Sequence, residues 1–280
     1  MRFFYSRAIW LLRSKSLNSK YENFSNRLLI YIIRYLKKIK CQINKLPQQN
    51  SIDDFLATLF SKNENLKIIQ IGANDGISSD PLFKYVKNYK GKILLIEAIP
   101  YYCEKLKKTY AGNPNIIVCN KLVDSTKSEK KFFYIDPLVA DEMNGNGPFN
   151  QWAHCQGSTE KENIIYNIKY NRFRGKNYRK NINKYIKSIK EIDIKSIPLD
   201  ELISEHDGFE NCIDLMVLDV QGAEFSILKN LNSMKIKPKF LIYEDDGSMS
   251  SSDSKNLYIF LISLGYFLIV DGHDKAWIKL

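Results

Sequence analysis

The chain has 280 residues, 44% of them hydrophobic, and a formal net charge of +11 at pH 7. That length and apolar content suit one large α/β core with appendages and exclude a disordered chain. Five scattered cysteines (Cys41, Cys103, Cys119, Cys155, Cys212) with no Cys-x-x-Cys pair, and only three histidines, argue against a disulfide framework, a zinc cluster or a histidine-rich metal centre, and fit a reducing cytosol.

The charge is uneven. Residues 1–50 hold 11 Lys/Arg and one acid, Glu22, so +10 of the +11 lies there and residues 51–280 are nearly neutral. Within Arg27–Lys40 the uncharged run covers only 28–33, far short of the ~20 apolar residues that a membrane span needs. Phe3, Phe4 and Ile9 to Leu12 lie among Arg2, Arg7 and Arg13, and no small-residue cleavage site follows, so no signal peptide is read. Two readings of this basic amphipathic extension stay open. One is peripheral contact with an anionic membrane through residues 1–45, each Lys or Arg near the surface adding about 1 kcal/mol. The other is an arm packed on the core or on a second subunit. Residues 41–51 read as a linker into one domain spanning 51–280.

Ser51 is placed to cap a helix with Asp53 and Asp54 in its first turn and Phe55, Leu56, Leu59 and Phe60 as its apolar stripe. A first strand at 67–71 runs into Gly72-Ala73-Asn74-Asp75-Gly76. A strand ending in such a turn needs glycine for positive φ and close backbone approach, and a helix N-terminus after it would aim its free N–H groups at a ligand. That helix is expected over 80–88, starting at Asp80-Pro81. A second strand at 92–97 ends in Glu97, 25 positions after Gly72, where an α/β fold holds ribose hydroxyls on a carboxylate. A dinucleotide fingerprint would carry glycine where Asn74 stands, to clear space for a pyrophosphate. Asp75 in the turn would repel a diphosphate and suit a cationic cofactor such as S-adenosylmethionine.

Pro100 starts the next helix, carrying Leu106, and strands follow at 115–119, 213–219 and 239–243 with helices at 223–231 and 254–264. The apolar run at 213–219 reads as a central parallel strand. Tyr266–Val270 should pair with Ala276–Lys279 across Asp-Gly-His-Asp as an antiparallel hairpin. The stretch 136–196 reads as irregular. Its segment 169–190 has nine bases and no acid, interleaved with Tyr170, Phe173, Tyr178 and Tyr185. Long polar inserts in α/β domains are more often functional than ornamental, so 136–196 is read as an acceptor-binding lid.

Four blocks carry a family resemblance: Ile71-Gly-Ala-Asn-Asp-Gly76, Ile96-Glu-Ala-Ile-Pro100, Ile197-Pro-Leu-Asp-Glu-Leu202 and Leu215-Met-Val-Leu-Asp-Val-Gln-Gly-Ala-Glu224. Their order over residues 66–280 resembles that of FkbM-family S-adenosylmethionine-dependent methyltransferases. The resemblance implies a class I Rossmann-like fold, mostly parallel with an antiparallel C-terminal hairpin, and O-methylation of a sugar or related hydroxyl. By the same resemblance Gly72, Ala73, Asn74, Asp75, Gly76 and Glu97 line the cofactor, Asp124 lies at the adenine and Asp219 beside the methionine end. The family often has Lys two positions before that aspartate and Glu two after it; this chain has Val217 and Gln221.

Strand ends in open α/β sheets face one crevice, which would gather Asp75, Glu97, Asp219 and Glu244-Asp-Asp246. Removing an alcohol's proton needs a carboxylate or imidazole within reach. Asp219, Glu224 and His154 are the candidates, His154 being flanked by Trp152, Gln156 and Ser158. Glu244–Asp246 read as solvated acids, and no metal is assigned. The loop Asp-Val-Gln-Gly after the 213–219 strand is unlike the Asn/Asp-Pro-Pro-Tyr loop of nucleic-acid base methylases, so no DNA partner is expected. The expected acceptor is a carbohydrate or glycolipid of surface-polysaccharide or glycolipid synthesis, met in the cytoplasm or at the inner face of the membrane. The alternatives are an RNA or protein methyltransferase, the basic insert binding oligonucleotide, or a catalytically silent membrane-associated scaffold.

Overall fold

In the computed structural model the described residues are 51–144, 152–170 and 181–279. The basic extension and residues 171–180 of the basic insert lie outside them. Residues 49–280 form one unit by their internal contacts.

Helix α1 (Ile52–Lys62) is capped as expected: Ser51 Oγ accepts the Asp54 amide at 3.1 Å, and Phe55, Leu56 and Leu59 are buried. The main sheet uses β1 (Ile68–Ile71), β2 (Ile93–Ile96), β3 (Ile116–Cys119), β8 (Leu215–Leu218), β9 (Phe240–Glu244), β10 (Tyr266–Asp271) and β11 (Asp274–Lys279). Its order is β10-β11-β9-β8-β1-β2-β3. The first five in chain order run parallel, and every residue of β1, β2 and β8 is buried, which is why these strands read as unbroken apolar runs. The C-terminal hairpin pairs as expected and places β11 antiparallel to β9 with β10 outermost.

Register positions the site. Ile71 lies level with Ile96 on one side and Leu218 on the other. The chain therefore leaves three neighbouring strands at one height, as Gly72, Glu97 and Asp219. Backbone bonds extend the ladder past the strand ends, Gly72 N–H to Ile96 O at 2.9 Å and Asp219 N–H to Ile71 O at 3.0 Å.

Three helices differ from expectation. In place of a helix over 80–88 there is one turn, α2 (Phe83–Val86), because Asp80 Oδ1 takes the Leu82 amide and holds 77–82 as consecutive turns. No helix N-terminus therefore follows the glycine turn directly. The helix expected at 223–231 is α8 (Glu224–Leu228) continued by a 3-10 turn, Lys229–Asn232. Helix α3 (Pro100–Thr109) begins at Pro100 and buries Leu106 as expected, and α9 (Ser251–Ser263) begins earlier than expected because Ser250 caps it through the Asp253 amide.

The described residues of the stretch read as irregular are mostly built into regular elements. β5 (Ser128–Ile135) and β7 (Ile189–Ile197) pair antiparallel from Ser128↔Ser196 to Ile135↔Ile189, and with β4 (Leu122–Val123) and β6 (Gly157–Ser158) make a second sheet, β4-β7-β5-β6. Between β5 and β7 lie α4 (Pro137–Asn144), a 3-10 turn (Trp152–Cys155), α5 (Lys161–Tyr170) and α6 (Ile182–Lys187). Ile135, Ala140, Ala153, Ile164, Ile168 and Tyr185 close into a small core of their own. α7 (Leu199–Ser204) returns the chain to the main sheet, Leu199 and Leu202 joining the large core.

Candidate functional site

A cavity of about 580 Å³ opens where β1, β2 and β8 end. Its core wall carries Gly72, Glu97, Asp124 and Asp219 to Ala223; its insert wall carries Gly157 to Thr159, Asn163, Tyr166 and Asn167. Both sheets thus contribute.

Gly72 has φ +82°, and a Cβ there would lie 1.8 Å from the carbonyl oxygen of Asp219. Its glycine character answers the neighbouring strand-end loop as much as any ligand. Glu97 is buried; Oε2 accepts the Asn74 amide at 2.9 Å and Oε1 the Ile99 amide at 2.8 Å. Burial pushes its pKa up to about 7 and the charge of Asp219 adds to this, against the two amides. The carboxylate keeps lone pairs for hydroxyl donors in the cavity.

Asp219 and Glu244 form a hydrogen-bonded carboxylate pair, both raised first by burial, and Glu244 further by the charges of Asp219, Asp246 and Asp274. Burial and mutual repulsion make both hold a proton more readily than a free carboxyl, and of the two Asp219 lines the cavity. Gln221 donates to both, at 3.0 Å to Asp219 Oδ1 and 3.1 Å to Glu244 Oε2. Asp124 also lines the cavity, but its carboxylate is paired with Lys130 and takes the Ser125 amide. Burial opposes these bonds, yet they hold its pKa below the ordinary value.

The other expected residues face elsewhere. Asp75 turns back on its own loop: Oδ1 accepts the amides of Ile77 and Ser78, and Oδ2 the Ser78 hydroxyl. Burial works to raise its pKa, but these donors hold it below the ordinary value. Gly76 has φ +71° and packs against Tyr110, whose hydroxyl donates to Gly76 O; a Cβ there would meet the Leu106 and Tyr110 side chains at 2.6 Å. Ala73 is buried. Asn74 gives its side-chain amide to His154 O at 3.1 Å, tying the loop to the insert. With Asp75 it lines a smaller cavity of about 170 Å³.

That smaller cavity also holds His154. Its Nδ1 lies 2.5 Å from the Tyr102 hydroxyl and Nε2 3.1 Å from Asp141 Oδ1. Burial keeps the imidazole below its ordinary pKa; a neutral ring accepts a hydrogen bond from the Tyr102 hydroxyl at Nδ1 and donates to Asp141 from Nε2. Cys155 lines both cavities, whereas His154 lines the smaller one and not the large one. Glu224 is fully buried and off the cavity wall; Oε1 accepts the Val220 and Gly222 amides at 3.2 and 3.3 Å. Burial lifts its pKa to about 7. It braces the loop instead of facing an acceptor. Glu244, Asp246 and His273 bring one donor atom each to within 4.8 Å of one another.

Residues that the sequence reading passed over are Asn163, Tyr166, Asn167 and Ser248 on the wall; Gln156, noted only as a neighbour of His154, hydrogen-bonds to Gln221. In the sequence, Gln221 stands out only as a departure from a pattern.

Residues 70–268 match the Methyltransferase FkbM domain. No curated protein sequence matches the chain. Among solved structures it is similar to the methyltransferase FkbM of Methylobacillus flagellatus KT (13% identity, 77% of this chain and 44% of that one, TM-score 0.43). It is also similar to the Bacillus cereus O-methyltransferase in complex with SAH (9% identity, 88% and 90%, TM-score 0.38) and to Aeropyrum pernix fibrillarin with natively bound S-adenosyl-L-methionine (11% identity, 77% and 66%, TM-score 0.34). The chain spans less than half the length of the Methylobacillus protein. The family match covers most of the chain, which belongs to the FkbM methyltransferase domain family.

Proposed function

We propose that this protein is an S-adenosylmethionine-dependent O-methyltransferase acting on a sugar or related hydroxyl. The observation that carries the reading is the row Gly72, Glu97, Asp219, delivered at one height into a cavity whose two strand-end carboxylates, neither of them in a salt bridge among the described residues, suit a cationic, ribose-bearing molecule. Bound there, S-adenosylmethionine supplies an electrophilic methyl group. Glu97 would hold the ribose hydroxyls and Asp219 the ammonium group. The insert wall supports a polyhydroxylated acceptor: Ser158, Thr159, Asn163 and Asn167 offer donors and acceptors, and exposed Tyr166 an aromatic face. Alignment of acceptor and donor between the two walls lowers the barrier most. Of the three proton-acceptor candidates, Asp219 is the one on the wall of this cavity and would take the hydroxyl proton, a role worth typically ~10²- to 10⁴-fold.

Titrating labelled cofactor against the wild type and Glu97→Ala tests the site; absence of binding by the wild type would sink it. Labelled donor with cell-envelope fractions identifies the acceptor, and transfer to RNA or protein in place of glycan would reject the sugar reading. None of the described helices is long and apolar enough to cross a membrane. The basic composition of residues 1–45 supports a peripheral contact with anionic lipid. Liposome co-sedimentation unchanged by deleting them would reject it.

A further inference from the structure

At the cavity wall, three side-chain amides connect the insert to the carboxylate pair. Gln221 directs Nε2 at Asp219 Oδ1 and Glu244 Oε2. Two carboxylate oxygens on one side require the amide to present NH₂ there, so Gln221 Oε1 needs a donor from the other side. Gln156 Nε2 is that donor, at 3.1 Å. Gln156 Oε1 in turn accepts from Asn167 Nδ2 at 2.7 Å. Each amide sets the sense of the next. Gln156 is 2% exposed, so a flipped amide there would leave buried polar atoms unpaired. Asn167 and Asp219 both line the large cavity, and the relay therefore starts and ends on its wall. It joins α5 to the loop after β8, and Gln221 holds φ +52° within it.

We propose that Gln156 and Asn167 are positioning residues that act through Gln221 to aim the Asp219 carboxylate at the amino-acid end of the bound methyl donor. The insert then belongs to the cofactor site as well as to the acceptor side. This rests on the S-adenosylmethionine reading of the cavity.

The test is calorimetric titration of the full chain with S-adenosylhomocysteine and with 5′-methylthioadenosine, which lacks the amino-acid end. Gln221→Met should weaken S-adenosylhomocysteine about tenfold, the size of one lost hydrogen bond to a charged group, and leave methylthioadenosine unchanged. Gln156→Met should do the same more weakly, and the double variant should be no worse than Gln221→Met, because the two act in series. Equal losses for both ligands, or additive losses in the double variant, would overturn the relay and leave the cofactor site standing. Wild type binding neither ligand would overturn the site and the relay together. If a thermal scan shows that the glutamine variants do not fold, Asn167→Leu on the half-buried wall decides: a several-fold loss confined to S-adenosylhomocysteine supports the relay, and an unchanged affinity rejects it.

Discussion

The loops that leave β1 and β8 are neighbours built from similar material: glycine, a positive-φ residue and an acid. Gly72, Asn74 and Gly76 bend one; Gln221 and Gly222 bend the other. Yet the first turns its carboxylate, Asp75, onto its own amides, whereas the second puts Asp219 on the cavity wall and buries Glu224 beneath to take the loop's amides. An acid in a turn serves the turn when unpaired N–H groups lie within two or three residues of it. It is free for a ligand when a second acid has taken that duty.

The sharpest way to break the contrast is Gly72→Ala, which drives a Cβ into the Asp219 carbonyl at a positive φ. The cost should be about 4 kcal/mol in denaturant titration, with cofactor binding lost. Next, Glu97→Ala removes the group that anchors the Asn74 amide and faces the cavity. About a hundredfold loss of cofactor affinity is expected, from a ligand bond and a loosened loop together.

The two bracing acids should then show opposite pH behaviour. Glu224, raised to about 7 by burial, contributes stability that is complete below its unfolded value and fades as pH rises through about 7. Glu224→Gln does not titrate, so the fall in Tm from pH 5.5 to 8.5 should shrink by about 3 °C. A fall as steep as in wild type would remove Glu224 from this account. Asp75, depressed by its donors against burial, stabilises above its unfolded value and loses that stability as pH falls through its folded one. Asp75→Asn should cost about 1 kcal/mol at neutral pH and little at acid pH. Cofactor affinity should stay within about twofold, since the carboxylate serves the loop; a larger loss would show that it reaches the ligand after all.

The parallel strands were legible because each is buried on both faces, so Ile68–Ile71, Ile93–Ile96 and Leu215–Leu218 are apolar throughout. Glu97 was legible as the first acid after such a strand. The second sheet was not. β7 spaces its isoleucines among Lys190, Glu191, Asp193 and Lys195, and most of its side chains stay in contact with solvent, so its pattern resembles a polar loop. Its partner β5 lies more than fifty residues away in sequence.

Sequence alone determined the architecture of the main sheet, the glycine turn and the acids at the strand ends. These follow from burial and chain geometry within a few residues. Tertiary structure decided which acids face the cavity where the deciding donors are held from outside the acid's own loop, because a carboxylate turns toward whichever donors lie within about 3 Å of it. For Asp75 these are its own loop's amides; for Asp219 they include Gln221, held in turn by Gln156 from a sheet whose pairing no local pattern announces.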